Sequence, residues 1–221
     1  MPARALALFL VVVACAGCGG GDDDGEEEAV GNGTPAGETG CREVDAPEPK
    51  AEGGQERPEA PLGGSERAEL VVRTNCGDFT IRLDPTSAPN TTASLLKLAE
   101  NGYFDDTIFH RIVPGFVIQG GDPTGTGTGG PGYSTVDRPK PDARYTKGVV
   151  AMAKTAQEPP GTSGSQFFVV TGDDVGLPPE YAIVGEVSAG LDVVERIGTL
   201  GDPNTERPTQ PVVIEQVTAR R

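Results

Sequence analysis

An arginine, two glutamines and two phenylalanines are the residues here whose types and spacing can do chemistry together. Arg111 and Gln119 lie in the run Phe109-His110-Arg111-Ile112-Val113-Pro114-Gly115-Phe116-Val117-Ile118-Gln119-Gly120-Gly121-Asp122. Apolar and polar positions alternate on either side of Pro114-Gly115. Two strand halves meeting at a Pro-Gly turn therefore bring Arg111, Gln119 and Phe116 to one surface. A second run, Gly164-Ser165-Gln166-Phe167-Phe168-Val169-Val170, reads as another strand, with Gln166 and Phe168 on one face because they are two residues apart. The result is an apolar pocket bordered by a guanidinium and two amides, with no nucleophile among them. Such a set can grip a neutral group and aim hydrogen bonds at it, without covalent chemistry.

The inventory excludes several alternatives. His110 is the only histidine, so neither a zinc set nor any other metal site is expected, and no cofactor motif stands out. Gly161-Thr162-Ser163-Gly164-Ser165 is not the Gly-x-Ser-x-Gly elbow of a serine hydrolase. The glycine-rich loop from Pro123 to Pro141 lacks a Gly-Lys-Ser/Thr ending and a following helical pattern, so it is not a phosphate cradle. A net charge of −15 without a basic stripe leaves nothing to neutralise a phosphate backbone, which excludes nucleic acid as a partner.

The elements that must position these residues are short. Glu69 to Leu83 reads as a hairpin turning at Asn75-Cys76-Gly77-Asp78. Pro85 and Pro89 close it, and Asn90 suits the cap of a helix from Thr91 to Glu100 that ends at Asn101-Gly102. Gly148 to Lys154, Gln166 to Thr171, Tyr181 to Val187 and Val212 to Thr218 read as further strands, and Leu191 to Ile197 as a second helix. Many short strands with two helices argue for a mainly β barrel or sandwich.

Five ordered blocks, FHRIVPGFVIQGGD (109 to 122), GTGTGG (125 to 130), GVVAMAK (148 to 154), GTSGSQFFVV (161 to 170) and LPPEYAIVGEV (177 to 187), resemble the cyclophilin family of peptidyl-prolyl cis/trans isomerases. The resemblance covers roughly residues 70 to 200. It implies a closed eight-stranded antiparallel β-barrel capped by two helices, and an enzyme acting on proline-containing polypeptides. Position by position, it implies that Arg111 is the catalytic arginine and Gln119 the glutamine that orients it. Phe116, Val117, Phe168 and Leu177 match the pocket for the proline ring, and Ala153, Lys154 and Gln166 the groove for the preceding residues. His110 matches the histidine beside the arginine, as a substrate contact or as a packed structural residue. Three positions depart from the pattern. Tyr181 replaces a histidine at the pocket rim, Lys154 an asparagine, and Gly176 the tryptophan that contacts cyclosporin in many eukaryotic members.

The chemistry such a pocket performs follows from the peptide bond. Rotation faces ~18 to 20 kcal/mol because the nitrogen lone pair is delocalised into the carbonyl. A donor aimed at the prolyl nitrogen stabilises the twisted state, where the lone pair is localised, more than either planar isomer. The same groove also suits a non-catalytic chaperone or docking module that merely holds proline segments. Arg111 and Gln119 favour the enzyme, since holding alone does not require them.

Three segments are expected along the chain: 1–18 as a signal peptide, 19–68 as a disordered acidic tether, and 69–221 as the isomerase domain. Arg4 followed by the apolar stretch Ala5 to Ala14 has the form of an export signal and is too short to span a bilayer. Ala16-Gly17-Cys18 resembles a bacterial lipoprotein processing site, with Cys18 as the lipidated residue and Cys15 the alternative. Export and a lipid anchor on the outer face of the cell membrane follow. Residues 22 to 69 hold 15 acidic and 4 basic residues, almost no aromatic or β-branched ones, and many Gly and Pro, which is the composition of a flexible tether. Cys41 and Cys76 remain, and an even pair in an exported chain suggests one disulfide, with two independent thiols the alternative. No exposed apolar pattern demands a partner subunit, so a monomer is expected.

Overall fold

The computed structural model describes residues 39–221. The expected signal peptide, Cys15, Cys18 and residues 19–38 of the expected tether lie outside the described residues.

In chain order the elements are β1 (Glu69–Thr74), β2 (Gly77–Leu83), α1 (Pro89–Glu100), β3 (Thr107–Ile108), β4 (Arg111–Val113), β5 (Val117–Gly120), β6 (Thr135–Val136), β7 (Val149–Met152), β8 (Thr162–Ser163), β9 (Phe167–Val170), β10 (Ile183–Ala189), α2 (Leu191–Gly198) and β11 (Val213–Arg220). Hydrophobic alternation sets the first hairpin. Leu70, Val72, Phe79, Ile81 and Leu83 point inward, while Arg73 and Arg82 face solvent.

Nine strands form one antiparallel sheet in the order β3-β11-β1-β2-β10-β7-β9-β5-β4, and β6 pairs with β8 apart from it. Its two edge strands are β3 and β4, which only Phe109 and His110 separate in the chain. Three residue steps span at most about 10 Å, whereas the edges of a flat nine-stranded sheet lie about 38 Å apart. The sheet therefore curls, which brings its two edge strands close enough for residues 109–110 to connect them.

This corrects the expected eight-stranded closed barrel. Segment 107–113 pairs with β11 through its first half and with β5 through its second, so one strand becomes two. Among the described residues no ladder joins β3 to β4.

Inside the curl, Phe79, Phe104, Phe109 and Phe167 pack edge to face or tilted, with ring centroids 6.0 to 6.4 Å apart. Helix α1 buries Leu95, Leu96, Leu98 and Ala99 against this core, and α2 buries Val193, Val194 and Ile197. Helix α1 begins at Pro89 rather than at Thr91, because proline suits a first helical position and its own side chains do not cap it. Asp137 caps it from a distance, accepting from Thr91 N at 2.7 Å and from Asn90 Nδ2 at 2.8 Å. Asn90 thus binds the cap instead of being it.

Strands β5, β7 and β9 are covered on both faces. Ile118, Val150, Met152, Phe167 and Val169 face the interior, while Val117, Ala151, Phe168 and Val170 belong to a second apolar cluster with Tyr145. The pocket residues lie in that second cluster, outside the curl.

Residues 39–68 overturn the expectation of a free tether across this stretch. They lie as an extended strap on the domain, donating from Arg42 N to Asn75 O, Lys50 N to Pro123 O, Gly53 N to Gly130 O, Gln55 N to Pro131 O and Leu62 N to Pro89 O. A disulfide joins Cys41 to Cys76 in the β1–β2 turn. The composition argument fails here because loop carbonyls and a covalent link hold the strap, whereas low apolar content speaks only to core burial.

Candidate active site

The turn at Pro114-Gly115 folds β4 back on β5 in the register Arg111↔Gln119, Val113↔Val117. Gly115 has φ +70, a conformation glycine adopts without strain. Arg111 and Gln119 are direct neighbours, and Gln119 pairs in turn with Phe168 on β9. Three of the predicted residues thus share one row across three strands.

That row forms a wall of a cavity of about 170 Å³. Phe116, Val117, Phe168 and Leu177 supply its apolar surface, and Arg111, Gln119, Ala153, Lys154 and Tyr181 complete it. A neighbouring open cavity of about 370 Å³ shares Gln119, Ala153 and Lys154, and is lined further by Gln166 and the glycine loop from Gly127. Together they make a groove with a small apolar end and a wider polar end.

Behind the apolar end stands Tyr145. Its hydroxyl donates to Tyr181 O at 2.7 Å and accepts from Tyr181 N at 3.1 Å, while its ring packs on Phe168 and Tyr181. Burial pushes the Tyr145 hydroxyl up from its usual range, which keeps it a neutral donor. Sequence reasoning missed this residue, because a lone tyrosine between Arg144 and Thr146 in an irregular loop carries no periodic signal.

The polar side is a relay. Arg111 donates from Nε to Glu206 Oε2 at 2.6 Å and from Nη1 to Gln119 Oε1 at 3.4 Å. Gln119 Nε2 donates to Gln166 Oε1 at 3.0 Å, and Gln166 Nε2 to Gly129 O at 3.0 Å. Glu206, 95 residues from Arg111, was not foreseen, and its surroundings in sequence are an ordinary polar loop.

Gly129 is fixed by Asp122. The fully buried Asp122 carboxylate accepts from Thr124 N and Oγ1 at 2.8 Å, Gly127 N at 2.5 Å and Gly129 N at 3.2 Å. Burial pushes this carboxyl up, but the donors from Thr124, Gly129 and Gly127 outweigh it, so it titrates below the usual carboxylate range. The glycine loop is thus organised around a buried anion of the protein itself, in keeping with the absence of a phosphate-cradle pattern in its sequence.

Two predicted residues need separate description. His110 does not line either cavity. Both its ring nitrogens are buried without a hydrogen-bond partner, and Gly127 lies over the ring. Burial lowers its pKa below 6.5, with Arg111 adding to the effect and Asp122 opposing it. This geometry matches a packed structural residue rather than a substrate contact.

Lys154 is in the groove but its charge is consumed. Its side chain is 3% exposed, and its ammonium meets Glu180 Oε2 at 3.0 Å and donates to Thr155 O and Glu158 O at 3.2 Å. It also lies 5.6 Å from the Tyr181 ring centroid.

Residues 69–219 match the family described as cyclophilin type peptidyl-prolyl cis-trans isomerase/CLD. The chain is 42% identical to peptidyl-prolyl cis-trans isomerase B of Streptomyces anulatus over 172 residues, covering 69% of this chain and 97% of that one. It is 40% identical to peptidyl-prolyl cis-trans isomerase A of Mycobacterium tuberculosis over 169 residues, covering 68% and 91%. Among solved structures, a cyclophilin type peptidyl-prolyl cis-trans isomerase of Cryptosporidium parvum, crystallised in the presence of the dipeptide Ala-Pro, matches with a TM-score of 0.64. It is 32% identical, and the match covers 69% of this chain and 99% of that one.

Proposed function

This chain belongs to the cyclophilin-type peptidyl-prolyl cis-trans isomerases, and from that premise we propose that Arg111 carries the isomerisation of Xaa-Pro bonds by non-covalent stabilisation of the twisted amide. The observation that carries this reading is the placement of one guanidinium at the wall of a cavity whose other surfaces are Phe116, Val117, Phe168 and Leu177. The apolar end takes the proline ring, and the wider polar end, with Gln166, Ala153 and Lys154, takes the preceding residues.

Raising an uncatalysed rate of about 0.01 per second to about 1000 requires roughly 7 kcal/mol. One charge-assisted hydrogen bond from Arg111 to the prolyl nitrogen supplies about 1.5 to 3 of these. The rest comes from removing the amide from water in the apolar end and from gripping the flanking peptide. Gln119 holds the guanidinium so that little entropy is lost when substrate arrives. No proton moves and no cofactor is required.

On the same reading the substrates are exported or unfolded polypeptides. The short apolar run of residues 5–14 and the Ala16-Gly17-Cys18 site support export and lipid anchoring of a monomer on the outer face of the membrane. Mass spectrometry of the mature N-terminus tests this part: a diacylglyceryl Cys18 supports it, and an intact Met1 sinks it.

The catalytic part is tested by an isomerase assay on a Xaa-Pro peptide. Arg111→Ala is expected to lower kcat/KM by about 10- to 150-fold while peptide binding persists. Full activity in that variant overturns the assignment, and a wild type that binds peptide without turnover makes the groove a docking module.

A further inference from the structure

We propose that Glu206 is a positioning residue for Arg111, holding the guanidinium by its Nε–H so that its other donors face the cavity. This rests on the reading of Arg111 as the catalytic donor. A guanidinium has five N–H donors in one rigid plane. Glu206 takes the Nε hydrogen at 2.6 Å and Gln119 takes one from Nη1 at 3.4 Å. Held at two points, the plane has one orientation and three donors remaining.

The loop between α2 and β11 is built to deliver this carboxylate. Glu206 has φ +57, and Asp106 is the only other non-glycine residue with positive φ among those described. Its N–H donates to Asp202 O and its carbonyl accepts from Ile112 N, the neighbour of Arg111, both at 2.8 Å. The Asp202 carboxylate in turn accepts from Asn204 N at 2.8 Å and Thr205 N at 2.9 Å. Those donors hold the Asp202 carboxyl below its usual range, although burial acts weakly the other way. At the loop's start a Cβ on Gly201 would collide with Ile112 O, so the loop lies directly on β4.

The main-chain bonds hold the backbone of Glu206, but the stability of the fold does not account for a glutamate side chain at this position. The Arg111 and Glu206 side chains are 34% and 47% exposed, and an ion pair so open to water contributes little to folding. A non-glycine residue held at positive φ beside a functional group points instead to pre-organisation. Replacing the carboxylate leaves the guanidinium free to swing about its last torsions, which costs turnover and leaves the apolar binding surface intact.

The experiment uses the full chain and five variants, Glu206→Gly, Glu206→Asn, Glu206→Gln, Arg111→Ala and the double variant of Glu206→Gly with Arg111→Ala. Glycine and asparagine both tolerate positive φ, so Glu206→Gly and Glu206→Asn fold with a melting temperature at or above that of the wild type. Each is expected to lose about tenfold in kcat at nearly unchanged KM. The Arg111 Nε–H resonance, protected from solvent exchange in the wild type, is expected to broaden in both. Glu206→Gln keeps an acceptor and is expected to stay within about threefold of wild type.

Adding Glu206→Gly to Arg111→Ala is expected to cause no further loss, because the carboxylate acts only through the arginine. Wild-type kcat in a folded Glu206→Gly or Glu206→Asn, with Arg111→Ala impaired, overturns the role of Glu206 alone. Wild-type activity in Arg111→Ala overturns the reading beneath it.

Discussion

Gln119 donates its Nε2 to Gln166 Oε1 at 3.0 Å, and that contact decides which end of each amide faces which neighbour. Because Gln166 Nε2 is spent on the Gly129 carbonyl, Gln166 must present its oxygen to Gln119. Gln119 therefore presents nitrogen to Gln166 and oxygen to Arg111. A main-chain carbonyl in a glycine loop thus sets the polarity of a chain of side chains ending at the guanidinium.

Gln166→Leu is expected to break this ordering without emptying the apolar end of the groove. Losing one neutral hydrogen bond and the amide polarity it sets corresponds to about 0.5 to 1.5 kcal/mol, or roughly 2- to 12-fold in kcat/KM. The loss should be smaller than for Arg111→Ala. Steady-state isomerase assays on both variants check this, and an unchanged kcat/KM in Gln166→Leu removes the relay from the mechanism.

Asp122→Asn is expected to loosen the glycine loop. An amide has one acceptor oxygen where the carboxylate has two, and Oδ1 and Oδ2 now serve Thr124 on one side and Gly127 and Gly129 on the other. The expected loss is about 1.5 to 3 kcal/mol of stability. KM should rise more than kcat falls, because Gly129 borders the wider cavity. Denaturant unfolding and the KM–kcat split measure the two effects, and a variant as stable as wild type contradicts the account.

Cys41→Ser with Cys76→Ser is expected to release the strap at its N-terminal end. The bond spans a sequence separation of 35 residues, and closing a loop of this length stabilises a fold by roughly 2 to 4 kcal/mol. Hydrogen exchange should speed up at Gly53 and Gln55, whose amides bond to the glycine loop. Unchanged melting temperature together with protected amides would show that the strap holds without its covalent tie.

Stability is expected to fall with acid partly through His110. Its folded pKa lies below 6.5 because burial disfavours the imidazolium, so below pH 6.5 the unfolded chain takes up the proton first. The stability His110 contributes is complete above 6.5 and declines as pH falls through the lowered folded value. Asp122 has the same sign at lower pH, its depressed pKa making stability fall once its carboxylate is protonated. An NMR titration of His110 giving a value at or above 6.5 would refute this, and His110→Gln should flatten the upper part of the profile.

Much of this protein is legible in its residues. The alternation around Pro114-Gly115 places Arg111 opposite Gln119, because a two-residue side-chain period and a tight turn leave one register that keeps Ile112 and Ile118 buried. Nine of the eleven predicted site residues between His110 and Tyr181 line one cavity, and Gln166 lines the adjoining one. Local pattern suffices there, since the information lies within a few residues of each position.

Tertiary structure decided what depends on distant segments meeting. Glu206 reaches Arg111, Asp137 caps α1 and Tyr145 backs Phe168 only because the sheet curls, and no local period encodes that closure. The same holds for the strap. Its composition predicts a free chain, but its conformation is fixed by main-chain bonds to loop carbonyls, which composition does not register.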